Sequence, residues 1–248
     1  MKPPVWNVSP YLTEAPELWR GMVGCWAFWE NASPIISDVT TNGNDGVMQN
    51  MDPTTDWVLS TDGLAVDFDG SNDYIDCGKG SSMNNAVFSV RMIINSKVAV
   101  GNSIEQPIRK HTIDSQSEAQ FSFAWGHNNS NFQQAWAIKN TSNEFFAAQY
   151  TTSLQANIWY DMVATFDGSY LRAYLDGVLE NTGTITGTIK TGNSSLYLGS
   201  GRQQGGSADN QFNGYMMLCQ LWNRVLRNDE ISILSATNKL AELRPRMS

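Results

Sequence analysis

Histidine, cysteine and basic side chains are all scarce in this chain of 248 residues. With two histidines, His111 and His127, an acid–base pair built on imidazole is poorly supplied, and both are expected in loops or at strand ends. The three cysteines, Cys25, Cys77 and Cys219, lack metal-type spacing. Each lies in or beside an apolar run with no neighbouring base, which leaves thiol catalysis little support. Two readings of them stand: buried free thiols, or one disulfide plus a free Cys. Charged residues make up 16%, well under the ~25% of an average soluble protein. The net charge of −8, with scattered Lys and Arg, argues against a nucleic-acid partner, which would need a basic cluster. No run reaches the ~18 to 20 apolar residues of a membrane span, so no membrane insertion is expected. The opening MKPPVWNVSPYLTEAPELW has no apolar h-region, so no secretory signal is expected. Without a disulfide framework either, maturation in a reducing cytoplasm is expected.

Strand and turn signals take up most of what is present. In Gly63 to Gly78, GLAVDFDGSNDYIDCG, Leu64, Val66 and Phe68 alternate with Ala65, Asp67 and Asp69. Asp69-Gly70-Ser71-Asn72-Asp73 supplies turn chemistry, and Tyr74 and Ile75 restart the strand. Five Asp-Gly pairs, at 45–46, 62–63, 69–70, 167–168 and 176–177, punctuate the chain as a sandwich of hairpins requires. The clearest run is Trp159 to Phe166, Asp167-Gly168-Ser169, Tyr170 to Leu175, Asp176-Gly177 and Val178-Leu179. Met22 to Trp29 reads as a buried first strand, and Ser195 to Leu198 and Tyr215 to Trp222 as late ones, with a Gly-rich polar loop over 199–213 between them. One helix is predicted over Arg227 to Ser235, with Asn228 as N-cap and Ile231 and Leu234 facing the body. Residues 1–20 read as an irregular arm broken by Pro3, Pro4, Pro10 and Pro16, packing either on its own domain or on a neighbouring subunit. The expected organisation is arm 1–20, one sandwich over 21–236, and tail 237–248.

These segments, in order from about Met22 to Leu234, resemble the laminin G-like domains of the concanavalin A-like lectin/glucanase superfamily. The carriers are the Gly43–Gly46 loop, the DFDGSNDYIDCG hairpin and FSVRMII at Phe88 to Ile94. They continue with the Trp159 to Gly168 motif (Met162 in the usual His place), the Leu171 to Val178 strand and turn, Phe212-Asn213-Gly214, and Leu221 to Ile231. The resemblance implies an all-β jelly-roll sandwich of two antiparallel sheets with one short C-terminal helix. The opening, the arm followed by LWRGMVGCW, and the Leu-Arg-Pro-Arg ending also resemble laminin G-like proteins of tailed-bacteriophage particles.

Glucanases of this superfamily carry Glu-x-Asp-x-x-Glu on one strand, and no such string exists here. Residues 85–155 contain Glu105, Asp114, Glu118 and Glu144, none in that spacing, so no catalysis is expected. The resemblance also implies a structural calcium held by the first loop and a last-strand Asp. Asp38, Asn44, Asp45, Asp69, Asn72 and Asp73 have the right ligand types, but a Met stands where that Asp is expected, in Gly214-Tyr215-Met216-Met217. The alternative is that these residues form Asx-type turns. A glycan site needs exposed aromatic planes beside amides and carboxylates. Trp26, Trp159 and Trp222 read as core, whereas Trp57, Trp125 and Trp136 lie near loops or polar stretches. With His127, Asn128, Gln203 and Gln204 they form the candidate glycan set. The same surface would also suit subunit packing.

The expected function is a non-catalytic structural or adhesion subunit of a virion, a capsid decoration, head-fibre or tail-associated protein made in the host cytoplasm. Its expected partners are other virion proteins, bound through the arm, further copies of itself in a homo-oligomer, and weakly a host cell-surface glycan. The alternatives are a free, extracellular carbohydrate-binding lectin, with or without calcium, and behind it a glycoside hydrolase.

Overall fold

The computed structural model describes residues 16–59, 63–99, 104–111, 120–126, 134–192, 194–200 and 210–236. Its strands, in chain order, are β1 (Met22–Trp26), β2 (Ile35–Ile36), β3 (Gly46–Gln49), β4 (Trp57–Leu59), β5 (Leu64–Asp69), β6 (Tyr74–Asp76), β7 (Phe88–Ser96) and β8 (Glu105–His111). They continue with β9 (Phe121–Trp125), β10 (Gln134–Lys139), β11 (Phe145–Gln149), β12 (Trp159–Phe166), β13 (Tyr170–Leu175), β14 (Val178–Thr184), β15 (Ser195–Leu198) and β16 (Asn213–Trp222), before helix α1 (Asn228–Ala236).

The turns predicted from Asp-Gly pairs explain much of the connectivity. Asp176 and Gly177 join β13 to β14 with φ of 48° and 82°, the double positive φ that a two-residue hairpin matched to strand twist requires. At the β5–β6 turn, the Asp69 carboxylate accepts the Ser71 N–H at 2.7 Å, and Gly70 takes φ 77°. Asp45-Gly46 differs, because Gly46 opens β3 and the turn lies before it.

Among the described residues two eight-stranded sheets result, every pairing antiparallel. The first runs β14-β13-β12-β7-β16-β5-β4, with β1 also on β16. The second runs β11-β10-β9-β8-β15-β6-β3-β2. The ten-residue β16 is long enough for its first part to pair with β5 and its last part with β1. Between the sheets lies the main core, including Trp26, Phe68, Phe88, Ile108, Phe123, Trp136, Phe166 and Leu198.

The first sheet is also covered on part of its outer face, which explains why Ala65 and Val66 are both fully buried. There Met22, Ile93, Val163, Tyr174 and Trp222 meet Leu18, Leu226, Ile231 and Leu234. Leu18 belongs to a 3₁₀ turn, Pro16–Trp19, whose attachment is specific: Trp222 Nε1 donates to the Leu18 carbonyl at 2.7 Å, and Arg224 donates to that of Glu17 at 2.8 Å. Residues 16–19, inside the segment read as an arm, thus pack on the first sheet. Beneath α1, Arg91 and Asp161 form a two-pronged pair at 2.8 Å, and Arg91 also donates to the Leu234 carbonyl.

Ile231 and Leu234 face the body as expected. Asn228 is not the cap. Its side-chain oxygen accepts the Tyr174 hydroxyl, while Glu230 reaches back to the Arg227 N–H at 2.7 Å, the acidic half of a capping box. The three cysteines are buried free thiols. Among the described residues no helix is long and apolar enough to cross a membrane.

Candidate functional site

The tryptophans expected at a glycan surface are core residues. Trp125 and Trp136 are 0% and 1% exposed, and Trp57 is buried too. Strand alternation is the cause: Trp136 faces Phe123 across β10 and β9, and both belong to the inter-sheet core. Each indole N–H is already used, by the Ser33 carbonyl for Trp57, the Val98 carbonyl for Trp125 and the Tyr150 hydroxyl for Trp136. This corrects the expectation of exposed planes at these positions. His127, Asn128, Gln203 and Gln204 lie outside the described residues.

The calcium candidates fall in two separate loops, and in each their polar groups hold backbone. Asp38 Oδ1 accepts the N–H groups of Cys25 and Thr40, each at 3.0 Å. Its Oδ2 accepts the Thr40 hydroxyl at 2.8 Å and the Asn44 N–H at 3.0 Å. Asp45 accepts the Asp38 N–H, and the Asn44 amide donates to the Val23 carbonyl and the Ser82 hydroxyl. Asp73 caps the Asp69 N–H, and the Asn72 carbonyl accepts from Asn50. This is the Asx-turn arrangement, in which ligand-type oxygens hold loop backbone. Among the described residues no group of three or more His, Cys, Asp or Glu is placed to hold a metal ion.

A different constellation emerges on the outer face of the first sheet, beyond the part covered by α1. Trp159 pairs with Asn95, Asn95 with Tyr215, and Tyr215 with Asp67, so one transverse row crosses β12, β7, β16 and β5. The chain neighbours Tyr160, Ile94, Met216 and Val66 all point into the inter-sheet core, which places the row outside. The rings of Trp159 and Tyr215 lean toward each other over the Asn95 position, with centroids 6.3 Å apart and planes at 40°. Both rings are partly exposed. Asn95, between them in register, is 8% exposed, and its enclosed Oδ1 meets no donor among the described residues. Lys97, two residues on along the same face, sits 4.5 Å from the Tyr215 ring centre and forms an ion pair with Asp67.

Chemically the row offers what the three buried tryptophans do not. Partly exposed rings supply an apolar plane for the C–H face of a sugar. Beside them the partly exposed Asp67 carboxylate can accept a sugar hydroxyl. Sequence reasoning passed over Trp159 because it opens a strongly apolar strand. The available signal was parity: Trp159 shares a face with Asp161 and is opposite to Tyr160.

Comparison with known proteins agrees with the architecture. The family profile described as the concanavalin A-like lectin/glucanases superfamily matches residues 69–232. The chain belongs to that superfamily. Among solved structures, this concanavalin A-like chain is similar to domain 4 of AbnA, a GH43 extracellular arabinanase from Geobacillus stearothermophilus, in complex with arabinotriose. That likeness has a TM-score of 0.65 at 16% identity, over 86% of this chain and 98% of that one. It is also similar to the binding domain of Paraclostridial Mosquitocidal Protein 1, with TM-score 0.65 and 15% identity over 89% of this chain. A mutant Trypanosoma rangeli sialidase displaying trans-sialidase activity gives 0.63 and 14% over 95% of it. The chain spans 53% of the toxin domain's length and 37% of the sialidase's. At these identities the likeness is one of fold. No curated protein matches.

Proposed function

We propose that this chain is a non-catalytic carbohydrate-recognising module displayed on a virion surface. The observation that carries recognition is the Trp159–Asn95–Tyr215–Asp67 row, which joins partly exposed aromatic planes to a partly exposed carboxylate on one sheet face. The arabinotriose held by the arabinanase domain of similar fold gives it a precedent. Absence of catalysis is supported by the two mid-chain acids within the described residues, Asp114 and Glu118 lying outside them. Glu105 is enclosed at 2% exposure, and Glu144 accepts from Asn140 within a turn.

Virion display is supported by the resemblance of the opening and ending segments to phage particle proteins. On this reading the N-terminal segment binds other virion proteins, the sandwich faces out, and several copies assemble. Because residues 16–20 are stitched to the first sheet, the attachment test is deletion of residues 1–15. Loss of the shortened chain from purified particles, with its melting temperature kept, supports attachment through that segment, and full incorporation overturns it. Recognition is tested on a broad glycan array, with calcium and with a chelator. Saturable binding that Trp159→Ala abolishes supports the row. Silence in both conditions, or binding untouched by Trp159→Ala, overturns it.

A further inference from the structure

We infer that the Lys97–Asp67 ion pair makes the row selective for neutral sugars, with Asp67 as the residue that sets this selectivity. The inference rests on reading the Trp159–Tyr215 row as a sugar site.

An ammonium beside stacked rings would by itself suit an acidic glycan, since it could pair with a uronate, sialate or sulfate group. Here it has two other engagements. Its charge is matched by the Asp67 carboxylate, both side chains being just over a quarter exposed. It also lies over the Tyr215 face at 4.5 Å, a cation–π position that keeps it against the ring.

The surroundings act in the same direction. Asp67 donates its N–H to the Asp56 carbonyl, which sets these acids side by side. Burial first, then the charges of Asp69, Asp56 and Asp67, push the Asp73 carboxyl up to about 6 against the Asp69 N–H that favours its charged form. The edge of the row therefore carries Asp56, Asp67, Asp69 and Asp73 against Lys97. Anionic ligands meet a negative field, and the chain's net charge of −8 extends it. A neutral sugar meets no such opposition. It can stack on the rings and donate a hydroxyl to the partly exposed Asp67 carboxylate.

The test is an array of neutral oligosaccharides, each printed beside its 6-carboxylated and sulfated counterparts, probed with wild type, Asp67→Asn, Lys97→Gln and Trp159→Ala. Wild type should bind neutral members at least about tenfold better than their acidic partners at low salt, the gap shrinking as salt rises. Asp67→Asn frees the ammonium and should close or reverse the gap, whereas Lys97→Gln should widen it. The opposite signs cannot both come from unfolding, and melting temperatures check each variant. A gap that neither variant moves by more than about twofold, or a wild-type preference for acidic members, overturns the inference while leaving the row a sugar site. Binding unaffected by Trp159→Ala, or none to either class, removes the site itself.

Discussion

Glu105 lies between the sheets at the start of β8, and replacing it with glutamine should change how stability depends on pH. The side chain is 2% exposed and faces Trp125 across β8 and β9. Burial raises its pKa from 4.5 to about 7, against the opposing pull of the Asn213 N–H and the Ser96 hydroxyl. The folded state therefore holds the Glu105 proton over a range in which the unfolded chain has lost it. The stability linked to that proton is fully present below pH 4.5 and is lost as pH rises through about 7. At about 1.4 kcal/mol per pH unit, the loss amounts to roughly 3 kcal/mol as a ceiling. Glutamine can still accept from Ser96 and Asn213 but never ionises. Urea denaturation at pH 4, 6 and 8 should show the two proteins nearly equal at the acid end. Glu105→Gln should gain about 2–3 kcal/mol by pH 8. Asp73 titrates in the same direction, so the quantity that counts is the difference between the two proteins. A difference that stays flat from pH 4 to 8 would refute the reasoning.

Three further outcomes are expected. Arg91→Met should cost about 3–5 kcal/mol in urea denaturation, because it strands the fully buried Asp161 without its cation; a loss below about 1 kcal/mol contradicts this account of how α1 docks. None of the three cysteines should react with a thiol reagent before unfolding, since burial pushes Cys25 up to about 12 and raises Cys77 and Cys219, and fast labelling of native protein would contradict their placement. Asp38→Ala should lower stability by about 2–4 kcal/mol by releasing buried donors, and calcium should leave the wild-type melting temperature unmoved. A calcium-dependent rise in melting temperature would return this loop to the list of ion sites.

Local chemistry made the fold legible. Asp176-Gly177 demanded a tight hairpin, Asp69 to Asp73 a second turn, and the Ile231 and Leu234 spacing a helix packed on one side. The cap was misplaced because Asn228 and Glu230 both suit a helix start, and the Tyr174 hydroxyl that claims Asn228 comes from β13. The site was far less legible. Trp125 and Trp136 sit among amides in sequence, yet alternation turns both inward, and nothing local to AWGHNNSNFQQAW reveals which parity faces the core. The row that does reach the surface draws one residue from each of four strands, β5, β7, β12 and β16. Only the register of the pairings aligns them, and register across distant strands is not written in any one segment.

The most direct test of the account is calorimetric titration of the strongest array sugar into wild type, Trp159→Ala and Tyr215→Ala, with melting temperatures measured alongside. The account predicts saturable binding to wild type and a loss of at least about tenfold in each folded variant, because each removes both the burial and the stacking of a ring. Undiminished affinity in both variants would contradict it and place any sugar site elsewhere on the sandwich.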